Sequence, residues 1–411
     1  MAKGNGLSDW TDFVTDFMSF TEGALSTDLH RRWAAISCIA GALERRVWIR
    51  VGDRLAYPNL YVVFVAPPGS GKYIIQTIKD LWLDTIEPGS DRPAFHVAPD
   101  SVTRASLIDD LLAAKCSRIT PSGLVTYHSL LAAPEEFEVL LPSYDSSFIS
   151  ILNDLWNNKP SHRETRRHGP AKDITIVNPT LNILAGATPA YFTAHFPDEA
   201  WNTGLIRRII MVYSQEAPLK DIFLETPDQS TLHKLLLSHL STISGLYGEA
   251  SWSPEAMKLI REWHLGGQEP KPTHSKLAYY NASRSHLVIK LALVSAVSRS
   301  GHSHIDLVDA KRAFHWLFET EAIMPDIFRA MVGKSDAQVI EELWYFVQSF
   351  WSKNKQKPLQ TKDLKKFLGI RLPSEKIPHV LELAEGMDVI ARVAGTQDAW
   401  IPRPKHLHGM E

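Results

Sequence analysis

The run Asn59-Leu-Tyr-Val-Val-Phe-Val-Ala-Pro-Pro-Gly-Ser-Gly-Lys72-Tyr73 decides how the rest of this chain is read. Residues 61–65 are a continuous β-branched and aromatic run, which suits a strand buried on both faces of a parallel sheet. Pro67, Pro68, Gly69, Ser70 and Gly71 then stop the strand and favour a tight, wrapped loop. After Lys72, residues 74–83 have helical spacing, with Ile74, Ile78 and Leu81 on one face. Strand, glycine loop, lysine and helix, in that order, form the context of a phosphate-binding loop. Its successive N–H groups and the helix N-terminus face an anion, and the lysine adds a mobile positive charge. The nucleotide contacts expected on this reading are Pro68, Gly69, Ser70, Gly71, Lys72 and Tyr73.

Two positions depart from the pattern G-x-x-x-x-G-K-[ST]. Ala66 replaces the first glycine, a mild change. Tyr73 replaces the final Ser/Thr, whose hydroxyl normally sits on Mg²⁺, and a phenol hydroxyl lies a whole ring further from the backbone. Binding of nucleotide is read from this stretch; hydrolysis has to be read from the rest of the chain.

The chain has 411 residues, enough for two or three domains. Hydrophobic and charged contents of 44% and 22% are those of an ordinary globular protein. A net charge of −2 means that nucleic-acid binding must rest on local patches. The two cysteines, Cys38 and Cys116, lack metal-type spacing and fit a reducing cytosol. No apolar run approaches membrane-spanning length and the N-terminus lacks a signal-peptide pattern, so a cytoplasmic protein without membrane association is expected.

Trp10, Phe13, Val14 and Phe17, then Trp33, Ile36 and Ile39, predict two helices in an N-terminal segment (1–58). A core over 59–215 should contain further strands at 95–99, 124–133, 180–187 and 209–213, alternating with helices such as 103–116. That alternation predicts a doubly wound α/β sheet with ligands at the strands' carboxyl ends. Strand signals vanish from residue 228 to 332, which predicts an all-α domain. Residues 335–404 read as helix, turn, helix, helix and hairpin, the order of a winged helix.

Glu135 and Glu136 follow an apolar strand. At that place in a phosphate-loop ATPase, one carboxylate (Glu135) joins the magnesium shell and its neighbour polarises the attacking water. The alternative is that both simply open a helix, where the macrodipole favours them. Thr188 ends the next strand and either orients the water or caps a turn. Arg207 and Arg208 enter a buried strand and need anionic partners; either forms a surface salt bridge or, presented to a neighbour's nucleotide, stabilises developing charge. Arg284 heads an apolar helix, from which it could close on the nucleotide or face solvent. Lys159, Arg163, Arg166, Arg167 and Lys172 form a basic insertion, read as a solvated loop or a hairpin that grips phosphate backbone. Lys362, Lys365 and Lys366 lie on the presumed helix-turn-helix and would contact phosphate rather than read bases. His302, His304, His406 and His408 have no ligand partners at metal spacing.

The stretch P-N-L-Y-V-V-x-V-x-P-P-G-S-G-K, the following P-E-E-F, then L-N-I-L-A-G-A-T-P and G-L-x-R-R resemble, in that order, AAA+ ATPases of helicase type from phages and other mobile elements. The helical segment followed by a winged helix is similar to minichromosome-maintenance helicases. The resemblance implies a phosphate contact by Lys72, a Glu135/Glu136 acidic pair, Thr188 as sensor one, Arg284 as sensor two, and Arg207 or Arg208 acting across a subunit interface. It also implies ATP and Mg²⁺, a hexameric or other ring that moves on single-stranded or forked DNA, and a primase or polymerase as partner. The expected function is that of a DNA-dependent ATPase, a replicative helicase of a phage or mobile element. The other reading is an assembly or loader protein that binds ATP and hydrolyses it slowly or not at all, which Tyr73 favours.

Overall fold

A computed structural model describes residues 10–403, except 101–102, 122, 166–172, 198–199, 202, 216–217, 219–228, 332–335, 370, 373 and 394–397. The chain divides into two compact units, Met1–Met331 and Val332–Glu411.

The first unit opens with α1 (Phe13–Phe20) and α2 (Asp28–Leu43). Apolar residues surround α2 on every side, and Trp33, Ile36 and Ile39 are completely buried, so it runs through the core and not along its surface. Next come the hairpin strands β1 (Val47–Val51) and β2 (Arg54–Ala56), then β3 (Tyr61–Val65), α3 (Ile74–Asp84) and α4 (Arg104–Ala113). The strands β4 (Lys115–Thr120) and β5 (Gly123–Ala132) form a second hairpin, followed by the short α5 (Phe137–Leu140) and α6 (Ser146–Trp156). A third hairpin, β6 (Ser161–Thr165) with β7 (Asp173–Val177), leads into β8 (Pro179–Ala187), α7 (Pro189–His195) and β9 (Ile209–Tyr213).

The main sheet has five strands in the order β4-β5-β8-β3-β9. β5, β8, β3 and β9 are mutually parallel, while β4 runs antiparallel along part of the edge. Each residue of β3, β8 and β9 is buried, as the unbroken apolar runs of β3 and β9 predict for strands covered on both faces; β8 also buries Thr180 and Asn182. The strand expected at 95–99 is reduced to a single parallel bridge, Val97 to Leu131. β4 was not foreseen: the expected helix 103–116 stops at Ala113, and Lys115–Thr120 continues as the edge strand.

The helical part contains α8 (Ser230–Gly245), the two-residue strands β10 (Gly248–Glu249) and β11 (Ser251–Trp252), α9 (Pro254–Leu265), α10 (Arg284–Ser300), β12 (His304–Ile305), α11 (Leu307–Ile323) and α12 (Pro325–Met331). It shares one core with the sheet. β10 pairs with β1, Trp33 Nε1 donates to Thr320 Oγ1 at 2.5 Å, and Lys290 reaches Asn59 at the root of β3. The N-terminal helices, the sheet and the helical part therefore belong to a single unit.

The second unit packs α13 (Asp336–Lys353), β13 (Leu359–Gln360), α14 (Thr361–Gly369), α15 (Ile377–Gly386), β14 (Ile390–Arg392) and β15 (Ala399–Pro402). Its three strands form an antiparallel sheet in the order β13-β15-β14. Leu343, Val347, Leu364, Leu368, Val380 and Trp400 build its own core. Among the described residues, no helix is long and apolar enough to cross a membrane.

Candidate functional site

β5, β8 and β3 lie side by side, and the segments leaving their carboxyl ends converge. Val65 at the end of β3 pairs with Ala187 of β8, and Ala66 N donates to Ala187 O at 3.1 Å. From β5 the chain passes through Pro134 to Glu135, whose carbonyl accepts from Gly186 N at 3.1 Å. Gly186 is required there. A Cβ would sit 2.4 Å from Glu135 O and 3.1 Å from Lys72 Cδ, so any side chain would push the Glu135 backbone off β8 and crowd the lysine. A glycine inside a buried strand signals such a close approach, and no role was assigned to Gly186 from the sequence.

The loop 66–73 turns through two glycines with positive φ, +79° at Gly69 and +74° at Gly71, a conformation that costs glycine little and other residues more. Ser70 is buried and its hydroxyl donates to Pro67 O at 2.6 Å, pinning the turn from inside. α3 begins at once, with Ile75 N donating to Lys72 O, so the first N–H groups of the helix precede any intrahelical acceptor. Lys72, whose side chain is 10% exposed, places Nζ 3.3 Å from Ala187 O and 3.6 Å from Glu136 Oε1. An ammonium has three donors, so this environment leaves capacity for the oxygen of an anion. The Glu136 side chain, which meets the lysine, is 55% exposed, and Glu135 beside it in the chain is also exposed.

Thr188 is the N-cap of α7, and its hydroxyl oxygen accepts from Tyr191 N at 3.2 Å. It lies one residue beyond the carbonyl that Lys72 contacts. Asn182, early on the same strand, is buried and accepts from Leu60 N at 3.0 Å, a structural bond at the other end of the sheet.

His30 and residues 21–27 also belong to this region, and nothing in the sequence marked them. His30, in the first turn of α2, is fully buried, stacks on Phe64 of β3 with centroids 4.6 Å apart, and donates from Nε2 to Val212 O at 3.2 Å. Its Nδ1 has no partner. Burial, with a smaller contribution from the charge of Lys72, pulls its pKa down to about 4, so the ring is neutral beside the lysine. The preceding segment lies on the loop itself, with Leu25 N donating to the Tyr73 phenol oxygen at 2.7 Å. Beside it, a cavity of about 610 Å³ is lined by Ser26, Thr27 and Leu29 on one side, Tyr213 and Ser214 at the end of β9, and Ile323 of α11.

Two expected arginine roles are corrected by the structure. Arg208 is buried: Nη2 donates to Asn157 Oδ1 at 3.0 Å, Nη1 donates to Gly204 O, and the guanidinium lies over the Trp156 ring. Burial and the adjacent Arg207 pull its pKa down to about 10. The anionic partner expected for it is replaced by neutral acceptors and a ring face, and a side chain so enclosed cannot be presented to a neighbour. Arg284 is completely buried in the helical part, paired with Glu321 through Nε and Nη2, both at 2.7 Å, and donating to the carbonyls of Gln268 and Pro270. Its donors are taken within the helical part, so it is a structural strut and not a cation facing the loop. Arg207 is half-buried, with no hydrogen-bond partner for Nε.

The basic insertion is indeed a hairpin, with Ser161–Thr165 pairing antiparallel to Asp173–Val177. Arg163 is exposed on its first strand; Arg166, Arg167 and Lys172 lie outside the described residues. In the second unit, Lys362, Lys365 and Lys366 are exposed on one face of α14. No group of three or more His, Cys, Asp or Glu among the described residues is placed to hold a metal ion.

A scan against protein-family models finds none that matches the chain, and a search of curated proteins finds no match.

Proposed function

We propose that the chain binds ATP at the carboxyl ends of β3, β8 and β5 and is a DNA-dependent ATPase of the AAA+ type, acting as a ring-forming helicase of a phage or mobile element. The observation that carries this reading is the position of Lys72 Nζ, between the end of β8 at 3.3 Å and a carboxylate from the end of β5 at 3.6 Å, behind a loop turned by two glycines. On this reading the loop N–H groups and Lys72 hold the terminal phosphates, while Glu136 and Thr188 orient a water toward them. Arg207 supplies positive charge to a neighbouring subunit's nucleotide. The base occupies the 610 Å³ cavity.

Magnesium, when bound with the nucleotide, neutralises phosphate charge; Glu135 would hold it together with phosphate oxygens, since Mg²⁺ needs only one or two protein carboxylates beside a substrate's phosphates. The Tyr73 phenol does not fit that task, because its ring carries the oxygen away from the loop backbone to the Leu25 N–H. The same bond favours the second reading, an ATP-dependent assembly or loader protein with slow turnover. The second unit, with three helices and a three-stranded antiparallel sheet, supports a winged helix, and the exposed lysines of α14 and Arg163 of the β6–β7 hairpin are the DNA contacts proposed.

The test is phosphate release by the full chain with single-stranded DNA, compared with Lys72→Ala. DNA-stimulated release that the variant lacks supports the helicase reading. Nucleotide uptake without turnover above the variant selects the loader, and no uptake at millimolar ATP overturns both.

A further inference from the structure

Residues 21–27 join α1 to α2 and are fastened at both ends. Arg31, buried in α2, donates from Nε to Thr21 Oγ1 at 3.0 Å and from Nη2 to Met18 O, and pairs with Asp28 at 2.7 Å. Thr27 caps α2 by accepting from His30 N at 3.3 Å. Between these ends the segment lies across the phosphate loop. Leu25 O approaches Gly71 so closely that a Cβ there would be 1.5 Å from it. Leu25 N donates to the Tyr73 hydroxyl at 2.7 Å. Just past the crossing, Ser26 and Thr27 form part of the wall of the 610 Å³ cavity, and Ser26 Oγ is buried without a partner.

The residue after Lys72 is therefore aimed at the crossing segment. A serine or threonine hydroxyl at position 73 would stay close to its own backbone. The phenol reaches Leu25 because the ring carries its oxygen further out. It is also 44% exposed, so this contact is a single polar bond at the surface and not part of the packed core. Such a bond is made and broken readily, and the segment it holds borders both the loop and the cavity.

We propose that Tyr73 is a positioning residue that latches residues 21–27 across the phosphate loop, and that this segment sets the rate at which nucleotide leaves. The inference rests on the nucleotide reading above. Removing one exposed hydrogen bond should speed release about three- to tenfold, the factor that a typical net bond strength gives.

The experiment uses full-length wild type, Tyr73→Phe and Lys72→Ala. Backbone amide exchange at Leu25 is measured without nucleotide, and release of a fluorescent ATP analogue is followed by rapid mixing over a range of magnesium concentrations. Tyr73→Phe should raise Leu25 exchange and speed release, with the magnesium dependence of binding unchanged. Unchanged release overturns the inference, and a shifted magnesium dependence overturns it by making the phenol a metal contact. Uptake that Lys72→Ala abolishes, together with unaltered release in Tyr73→Phe, removes the latch and leaves the nucleotide reading standing. No uptake by wild type removes both, whatever Leu25 exchange does.

Discussion

Two lysines bracket the same buried strand. Lys72 stands just past the carboxyl end of β3, and Lys290 reaches from α10 to Asn59, two residues before the strand begins. Lys290 is buried, donating to Asn59 O at 2.8 Å and Asn59 Oδ1 at 2.9 Å, with the Trp156 ring centroid 3.9 Å away. Burial, then the charge of Arg208, pulls its pKa well below the usual lysine range. Lys72 has one carbonyl and one exposed carboxylate near it, and its side chain is 10% exposed. Identical side chains are thus put to opposite uses by their acceptors. Where the fold supplies neutral acceptors and excludes water, the lysine is a tether; where one carbonyl and one exposed carboxylate are its only acceptors among the described residues, beside a glycine loop, the ammonium keeps donor capacity to spare.

The sharpest test of what burial does to a cation is Arg284, which is as enclosed as Lys290 although the Glu321 carboxylate is among its acceptors. Arg284→Ala should cost about 3–5 kcal/mol in chemical denaturation, because it leaves Glu321 buried and uncompensated. Burial already raises the Glu321 pKa, with Arg284 opposing the rise. A loss below about 1 kcal/mol would mean that full burial does not make this pair structural, and the distinction drawn between the lysines would weaken with it.

Arg284 also shows where the sequence could and could not be read. Residues 61–65 and 209–213 were legible as strands because burial on both faces leaves an unbroken apolar run, and their bounds agree with the structure. The phosphate-loop candidate was legible because its order along the chain is its order in space. Arg284 was misread because its partners are Glu321 and two carbonyls of a loop, brought together only by packing. Arg208 failed for the same reason. β4 escaped because an edge strand alternating exposed and half-buried residues carries little apolar signal. His30 was invisible, since a single histidine in a helix does not announce a ring of β3 beneath it.

A second, somewhat smaller effect separates the two ends of β3 by pH. His30 lies at the Lys72 end with a pKa pulled down to about 4, whereas the unfolded chain binds that proton near 6.5. The unfolded state therefore takes up the proton first as pH falls. Stability present above pH 6.5 is lost between about 6.5 and 4, by on the order of 3 kcal/mol. His30→Gln should flatten that acid limb of the denaturation profile; an equally steep limb in the variant would assign the loss to other groups.

The smallest effect tests the lysines directly. Lys290→Met removes the donor to Asn59 O and should cost about 1–3 kcal/mol near pH 10, while Lys72→Met should stay within about 0.5 kcal/mol. The sign with pH distinguishes a tether from an ordinary buried charge. Unfolded Lys290 is protonated below about 10.4, and the folded protein releases that proton at a much lower pKa. Wild type therefore loses stability as pH falls from 10.4 toward the folded value, and Lys290→Met is spared that loss. The deficit of the variant should accordingly shrink between pH 10 and pH 7. A deficit constant across that range would mean that Lys290 keeps its proton inside the fold, so that neutral acceptors and a ring face suffice to hold a buried ammonium in its charged form.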